Sequence, residues 1–237
     1  MYEYLVGDSI MGVVWVILFF VKKDLRKPMI WSGVIYFFAI TIWYIGVMGI
    51  LALQDMELSR TLTPGYWEPR TLFNIGMHTK GYAIEDILFM FFVGGIATNL
   101  YELVFKKRIL FSKTSTYHIR AIVIGIIASF IFAWAVPVNL MYSLIVFGFA
   151  GAIIILLERK DLIPHSLYGG FLFGAIYFLG FLLFNVLFPY FIDQVYHLEN
   201  ISGILLLGVP IEEILYAIGF GMLWAPLYEY EHGEKVA

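Results

Sequence analysis

The stretch Gly208-Val-Pro-Ile-Glu-Glu-Ile-Leu-Tyr216 sets two adjacent carboxylates, Glu212 and Glu213, at the start of an apolar segment. This segment continues to Leu227-Tyr-Glu229 and is long enough to enter a bilayer. Carboxylates are costly at membrane depth, and those that occur there usually serve a function. Glu212 and Glu213 are therefore the first candidates for a functional site.

An earlier stretch repeats this pattern. Gly81-Tyr-Ala-Ile-Glu-Asp-Ile-Leu-Phe89, which continues to Leu100-Tyr-Glu102, lies 127 positions upstream, and the two stretches are identical at nine of 22 positions. A second internal similarity relates Val21-Lys-Lys-Asp-Leu25 to Glu158-Arg-Lys-Asp-Leu162. The two similar segments occur in the same order in each half of the chain. This predicts two copies of a three-helix unit with the same orientation, related by an axis along the membrane normal.

The composition is that of an integral membrane protein. Of the 237 residues, 61% are hydrophobic and 14% are charged, whereas soluble domains have about 45–50% and about 25%. Seven apolar runs approach the length of a spanning helix, at about 4–21, 29–53, 82–105, 118–136, 139–157, 167–189 and 206–228. The predicted fold class is all-α, a polytopic protein with seven transmembrane helices in a single membrane domain, residues 1–237. Repeat one covers about 1–108, a linking helix about 116–136 and repeat two about 139–232.

Basic residues predict the orientation. Twelve of the 15 Lys and Arg residues fall in alternate loops or the C-terminal tail, and the other three are Arg60, Arg70 and Lys80. Because Lys and Arg favour the cytoplasmic side, we expect a multi-pass cell-membrane protein with its N-terminus outside and its C-terminus in the cytoplasm. Glu3 and Asp8 stand where a cleavable signal would be basic, so we expect the first span to be retained.

The acid pairs have two interpretations. Pro210 followed by Glu212 and Glu213 is an ordinary helix start, since proline and acids are both favoured in a first turn. Their duplication favours a site, and the repeat symmetry should bring Glu85 and Glu212 toward one axis. Adjacent helical residues point about 100° apart, so only one acid of each pair would face that site. Two facing carboxylates in a dry pocket would share a proton, which supplies both an acid and a base.

Other polar residues are weaker candidates. We interpret Tyr101-Glu102 and Tyr228-Glu229 as structural anchors at the helix ends. The loop at about 54–81 holds the aromatic segment Pro64–Pro69, which is either an interfacial anchor or a lid over a site. Asp8 lies on the same side as the acid pairs by topology.

Pro210-Ile-Glu-Glu213, Ala83-Ile-Glu-Asp86, the three-helix repeat and the Lys-Asp-Leu loops together resemble the integral-membrane lycopene cyclase domain family of carotenoid synthesis. That family carries a Pro-x-Glu-Glu/Asp signature and occurs as two small subunits or as one fused chain. The resemblance covers residues 5–230 and departs at Ala83, where the signature has proline.

The resemblance implies acid-catalysed cyclisation of the end groups of lycopene, or of a related carotenoid or isoprenoid, through a carbocation without net redox change. It implies an isomerase of the intramolecular lyase type that needs no metal or other cofactor. The expected catalytic residues are Glu212, Glu213, Glu85 and Asp86, and the expected substrate-binding residues are Tyr216, Phe89, Pro210 and Asn185.

The expected partners are a lipid-soluble polyene or isoprenoid substrate and membrane lipid. No basic tract with interleaved aromatic residues suggests nucleic acid, and a homo-oligomer is left open. The absence of cysteine excludes thiolate metal sites and cysteine nucleophiles.

The acid pairs also suggest other functions. A Glu-Glu intramembrane protease would need imidazole ligands for its metal, and no histidine lies deep within a predicted span. The alternative that stays open is a non-enzymatic transporter or assembly subunit with paired acidic residues at the repeat interface.

Overall fold

The computed structural model describes residues 2–55, 57–79, 82–105, 109–110, 119–233 and 235–236. The fold is nearly all-α, and 79% of it is helical. The helices are α1 Glu3–Val21, α2 Arg26–Leu53, α3 Ile75–His78, α4 Ile84–Ala97, α5 Leu100–Phe105, α6 Arg120–Ala135, α7 Leu140–Glu158, α8 Ile163–Leu187, α9 Phe191–Val195, α10 Ile211–Trp224 and α11 Leu227–His232. Single 3-10 turns cover Lys23–Leu25, Leu58–Arg60, Leu72–Asn74, Lys160–Leu162 and Leu198–Asn200. The strands are β1 Ile109–Leu110, β2 Leu205–Leu206, β3 Val209–Pro210 and β4 Lys235–Val236, paired antiparallel as β1–β4 and β2–β3.

Five helical segments of the described chain are long and apolar enough to cross a membrane. They are Glu3–Val21, Lys23–Leu53, Ile84–Phe105, Leu140–Glu158 and Lys160–Leu187. The other two predicted spans correspond to shorter helices, because α6 has 16 residues and α10 has 14. At 1.5 Å per residue these helices are about 24 Å and about 21 Å long, less than a hydrocarbon core of about 30 Å.

The surface of the long helices is apolar. Phe20, Ile45, Leu179 and Val186 are all more than 60% exposed. Such a surface would be a liability in water but suits contact with lipid tails. The chain is thus a helical membrane protein, and its aromatic interior is centred on residues such as Trp43 and Trp224.

Each helix that carries an acid pair packs between two longer helices. The first, α4, lies against α1 and α2, and α10 lies against α7 and α8, while α6 joins α7 to α2. Glycines allow this close approach: a Cβ on Gly94 would lie 2.9 Å from the carbonyl oxygen of Ser32, and one on Gly148 would lie 2.8 Å from the backbone of Gly219. The acid-bearing helices also match in length, since α4 and α10 each have 14 residues and are each followed by a six-residue helix.

The predicted start of the last span at 206 is wrong. Residues 205–210 form the β2–β3 hairpin, whose turn residues Leu207 and Gly208 have φ of 50° and 82°. Positive φ at both central residues is what a tight two-residue hairpin requires, and Gly208 adopts it without strain. Pro210 then caps α10, which begins at Ile211.

Ile204–Leu207, the apolar residues before α10, are exposed. Other predictions lie outside the described residues: the glycine that opens the first motif, Gly81, and the basic residues Lys80, 106–108 and 113.

Candidate active site

The two acids of the first pair bind different parts of the protein. Asp86 caps its own helix, because its Oδ2 accepts the backbone N–H of Ala83 at 2.7 Å, and its Oδ1 accepts the Tyr4 hydroxyl at 2.9 Å. Glu85 is fully buried and turns toward the preceding loop instead, where its Oε1 accepts the backbone N–H of Leu72 at 2.7 Å. Asp86 is therefore tied to α1, while Glu85 holds the preceding loop.

The second acid pair divides in the same way. The carboxylate of Glu213 accepts three tyrosine hydroxyls: Tyr66 at 2.8 Å and Tyr196 at 3.0 Å on Oε1, and Tyr177 at 2.9 Å on Oε2. The Oε1 of its neighbour Glu212 accepts the Tyr142 hydroxyl at 2.7 Å and the backbone N–H of Ser202 at 3.0 Å. Again the first acid holds a loop and the second faces inward.

A cavity of about 430 Å³ lies between the two inward-facing acids. Asp86 and Glu213 both line it, and the rest of its wall is largely aromatic and aliphatic, including Tyr4, Tyr36, Trp43, Tyr44, Trp67, Phe89, Phe173, Tyr177, Phe181, Phe184, Tyr196 and Tyr216. Its volume lies in the range of small-molecule sites, which are mostly apolar with a few convergent polar groups. The size and lining of the cavity therefore suit an apolar ligand.

The acids that were expected to approach one axis are not the ones that line this cavity. Glu85 and Glu212 are buried on loop amides, whereas Asp86 and Glu213, one position further along each helix, face the cavity. The physical reason is the angle of about 100° between adjacent side chains, which sends the two members of each pair to different surroundings.

Asp8 is the third acid in the cavity wall. Its side chain is 1% exposed, and neither carboxylate oxygen has a hydrogen-bond partner within the described chain. It lies close enough to Asp86 and Glu85 for the charges to interact. A buried carboxyl without donors is costly when ionised, so its position in a cavity calls for a functional reason.

Two loops cover Glu213, the acid of α10 that lines the cavity. Tyr66 and Trp67 belong to the loop between α2 and α4, and Trp67 forms a backbone bridge with Tyr196. Burial, followed by the charge of Glu213, raises the pKa values of Tyr66 and Tyr196 well above the usual tyrosine value, so both hydroxyls remain protonated donors. Asn139 fastens the same loop by donating from Nδ2 to the carbonyls of Ser59 and Thr61 at 2.8 and 2.9 Å. Of the two interpretations of this loop, the structure favours the lid.

The predicted substrate-binding residues separate into two groups. Tyr216 and Phe89 line the cavity, and the Tyr216 hydroxyl is hydrogen-bonded to that of Tyr36. Pro210 and Asn185 do not line it: Pro210 lies in β3, and Asn185 Nδ2 donates to the Gly208 carbonyl at 3.1 Å. Pro210 lies in the β2–β3 hairpin, part of a segment that was predicted as helix, and Asn185 on α8 binds that hairpin instead of the cavity.

Sequence reasoning missed the tyrosines on Glu213 and gave Asp8 little weight. Tyr66, Tyr177 and Tyr196 come from two loops and α8, and the sequence carries no periodic signal that joins them. Among the described residues, the group with ligand atoms close enough to share a metal ion lies elsewhere, at Glu102, His165 and Glu229.

The fold and the site define a helical membrane protein with an aromatic cavity that three acids line. The family model described as lycopene cyclase matches residues 4–104 and 139–231, so the chain belongs to the lycopene cyclase family. Searches of curated proteins and of solved structures gave no match. The family supports a role as a carotenoid cyclase-like enzyme of carotenoid biosynthesis with a lipid-soluble polyene as substrate.

Proposed function

We propose that this protein is an isomerase of the intramolecular lyase type that closes rings at the ends of lycopene or a closely related carotenoid. The observation that carries this proposal is the convergence of Asp8, Asp86 and Glu213 on one aromatic cavity. Family membership indicates the polyene, and the cavity provides the acid, the base and the apolar surroundings that its cyclisation needs.

The proposed reaction conserves every atom of the substrate. A carboxylic acid adds its proton to the terminal carbon–carbon double bond and leaves a tertiary carbocation. The next double bond of the chain donates its electron pair to that carbocation, so a ring closes and the positive charge moves to a ring carbon. A carboxylate then removes a proton from a neighbouring carbon, and a new double bond forms.

The hydrogen bonds suggest how the acids divide this work. Glu213 accepts three hydroxyls, which stabilise it as a carboxylate and suit it to balance the cation and take the leaving proton. Asp8 makes no hydrogen bonds within the described chain, so its buried carboxyl is most stable in the neutral form and presents its proton to the substrate. The rings of Tyr177 and Tyr216 stabilise the passing cation, a contribution of about 0.5–2 kcal/mol each.

Glu85 and Glu212 have positioning roles in this proposal. Each binds a backbone amide of the loop that precedes its helix, at Leu72 and Ser202. They therefore hold the outer cover of the cavity in place, so water is kept away from the carbocation, which would otherwise be captured as an alcohol.

The substrate reaches the cavity from the side, between α1 and α8. Ile10, Val14, Ile176 and Leu183 line the cavity and are also at least 43% exposed on the lipid-facing surface. Gly180 lies at the same place, and a Cβ there would meet no atom within 4 Å. A lipid-soluble polyene could insert one end here while the rest of the chain stays among lipid tails.

The proposed topology keeps the two parallel three-helix units, with the N-terminus and both acid pairs on the outer side. The matching lengths of α4 with α10, and of α5 with α11, support this arrangement. The two segments of the family match, 4–104 and 139–231, likewise fall on either side of α6.

The proposal is tested by expression in a bacterial host that accumulates lycopene, with pigments separated by chromatography and identified by mass. We expect a product that has the same mass as lycopene but absorbs at a shorter wavelength. The Glu213→Gln variant, expressed at the same level, should form none of this product. A host that retains only lycopene, despite folded protein in its membranes, would refute lycopene cyclisation.

A further inference from the structure

Two loops, one before each acid-bearing helix, expose large apolar side chains. In the loop before α4, Phe73 is 81% exposed and Met77 is 55% exposed. In the loop before α10, Ile204 is 60% exposed and the turn residue Leu207 is 73% exposed. We name Phe73 and Met77 the first tip, and residues 204–207 the second tip. Apolar patches of this kind mark surfaces that a partner or a membrane covers.

Both tips contain a backbone conformation that bulky residues rarely adopt. The φ angles of Phe73 and Leu207 are 55° and 50°, in the left-handed region. For a residue with a large side chain this conformation is strained, and strain of this kind persists mainly where it serves a function. In each tip the strained residue is also the most exposed apolar residue. The strain therefore coincides with the presentation of an apolar side chain.

The first acid of each pair fastens one of these loops. Glu85 Oε1 accepts the backbone N–H of Leu72, directly before Phe73, at 2.7 Å. Glu212 Oε1 accepts the backbone N–H of Ser202, at the base of the β2–β3 hairpin, at 3.0 Å. Irregular backbone at membrane depth is tolerated only where its polar groups are bonded within the protein. The two carboxylates supply one such bond in each repeat.

The second tip lies against the apolar end of α8. Asn185 Nδ2 on this helix donates to the carbonyl of the turn residue Gly208 at 3.1 Å. Val186 and Leu187 follow Asn185 and are 75% and 53% exposed. Both belong to a segment that is long and apolar enough to cross a membrane. Lipid that covers the end of α8 would therefore also meet the turn of the hairpin.

The first tip lies beside α2 in a similar way. The carbonyl of Thr79, which follows α3, accepts the Tyr44 hydroxyl of α2 at 3.2 Å. Tyr44 lies nine residues before the end of α2 at Leu53, which is about 14 Å along the helix. Its neighbour Ile45 is 66% exposed. The loop thus folds back along an apolar helix instead of standing above its end.

We propose that both tips insert into the outer leaflet of the membrane, the side on which the proposed topology places the acid pairs. Their partner is the acyl region of the lipid, which already covers the neighbouring surfaces of α2 and α8. Burial of apolar area drives this insertion, as it does for other interfacial segments. Each tip belongs to one of the two loops that cover Glu213, so contact with lipid anchors the cover of the cavity from outside.

The test uses single cysteines, because the chain contains none. Leu207→Cys and Phe73→Cys are labelled with a nitroxide, and the full chain is reconstituted in phosphatidylcholine vesicles. Collisions of the label with oxygen, which concentrates in lipid, are compared with collisions with a water-soluble nickel chelate. We expect an oxygen-to-nickel ratio within about twofold of that of the lipid-facing reference Val186→Cys, and at least about fivefold above that of Glu199→Cys.

Glu199→Cys is the matched control, because its side chain is 71% exposed and it precedes the second tip in the same loop. Ile204→Cys and Met77→Cys are second reporters for the case in which a label disturbs either turn. A ratio near that of Glu199→Cys would show that water covers a tip. Low collision rates with both reagents would show that protein, such as a second copy of the chain, covers it.

Either of these two results would overturn the proposal for the tip concerned. The measurement contains no lycopene, so insertion of the tips and cyclisation can fail independently.

Discussion

Replacement of Glu213 by glutamine removes the charge of the carboxylate but keeps the size of the side chain and its contacts. The glutamine oxygen still accepts the two hydroxyls that reach Oε1, from Tyr66 and Tyr196. Its amide faces Tyr177, whose hydroxyl turns from donor to acceptor. The volume and all three contacts are thus kept, while the negative charge and the proton-accepting oxygen are lost.

The magnitudes favour glutamine over alanine as the variant. A hydrogen bond to a charged group is worth about 1 kcal/mol more than a neutral one, so three of them set an upper limit of about 3 kcal/mol on the loss. Removal of a buried charge offsets part of that loss. Alanine would leave three buried hydroxyls unpaired at about 1–3 kcal/mol each, which approaches the whole stability of a typical domain.

We expect Glu213→Gln to fold and to lose cyclisation by at least about 100-fold, the usual contribution of a positioned acid or base. The assay is product formed per unit of membrane protein from added lycopene, with thermal unfolding measured in parallel. Glu212→Gln is the control, because it removes a neighbouring acid that binds Ser202 and Tyr142 outside the cavity. We expect it to lose less than about tenfold. Turnover of Glu213→Gln within a factor of about three of wild type would refute its role in proton transfer.

Three further predictions follow from the cavity and the helix ends. Asp8→Asn should lower cyclisation at least about 100-fold. Its Tm should change little, because the Asp8 oxygens have no hydrogen bonds to lose within the described chain. A wild-type rate would contradict proton donation by Asp8. Gly180→Phe should raise KM for lycopene, because the new ring would obstruct the lateral opening between α1 and α8. Gly49→Phe is the control, because Gly49 is equally open but lies outside the cavity, and its KM should not change. Equal KM values for the two variants would exclude this route. Burial raises the pKa of Glu231 to about 7 from 4.5, so the free energy of unfolding should fall as pH rises through this interval and level off above it. Glu231→Gln should remove that slope in thermal unfolding, and a slope that persists would assign it to another group.

The sequence predicts what depends on composition and periodicity. It predicts the apolar helices, the duplicated acid motifs and the family, because hydrophobic runs and repeated residues are local properties. It also predicts that only one acid of each pair faces a site. It does not predict which one, since that depends on how far each helix is rotated against its neighbours, and Asp86 and Glu213 are selected over Glu85 and Glu212.

The remainder of the site depends on long-range packing. Glu213 receives Tyr66 from a loop 147 positions earlier in the chain, and nothing in the spacing of the tyrosines indicates this contact. The β2–β3 hairpin was predicted as helix because four successive apolar residues, Ile204–Leu207, have no periodicity that separates strand from helix. His165 was discounted for its place near a helix end, and the packing of α5 and α11 around it is what buries it.

The central claim is that a solvent-exchangeable carboxyl proton initiates ring closure. The most direct measurement is cyclisation in D₂O by protein pre-equilibrated in that solvent, with the deuterium content of the product determined by mass spectrometry. We predict one deuterium per ring formed, bound to the ring carbon that receives the proton. Rings formed in D₂O without deuterium at that carbon would contradict proton donation by the cavity acids.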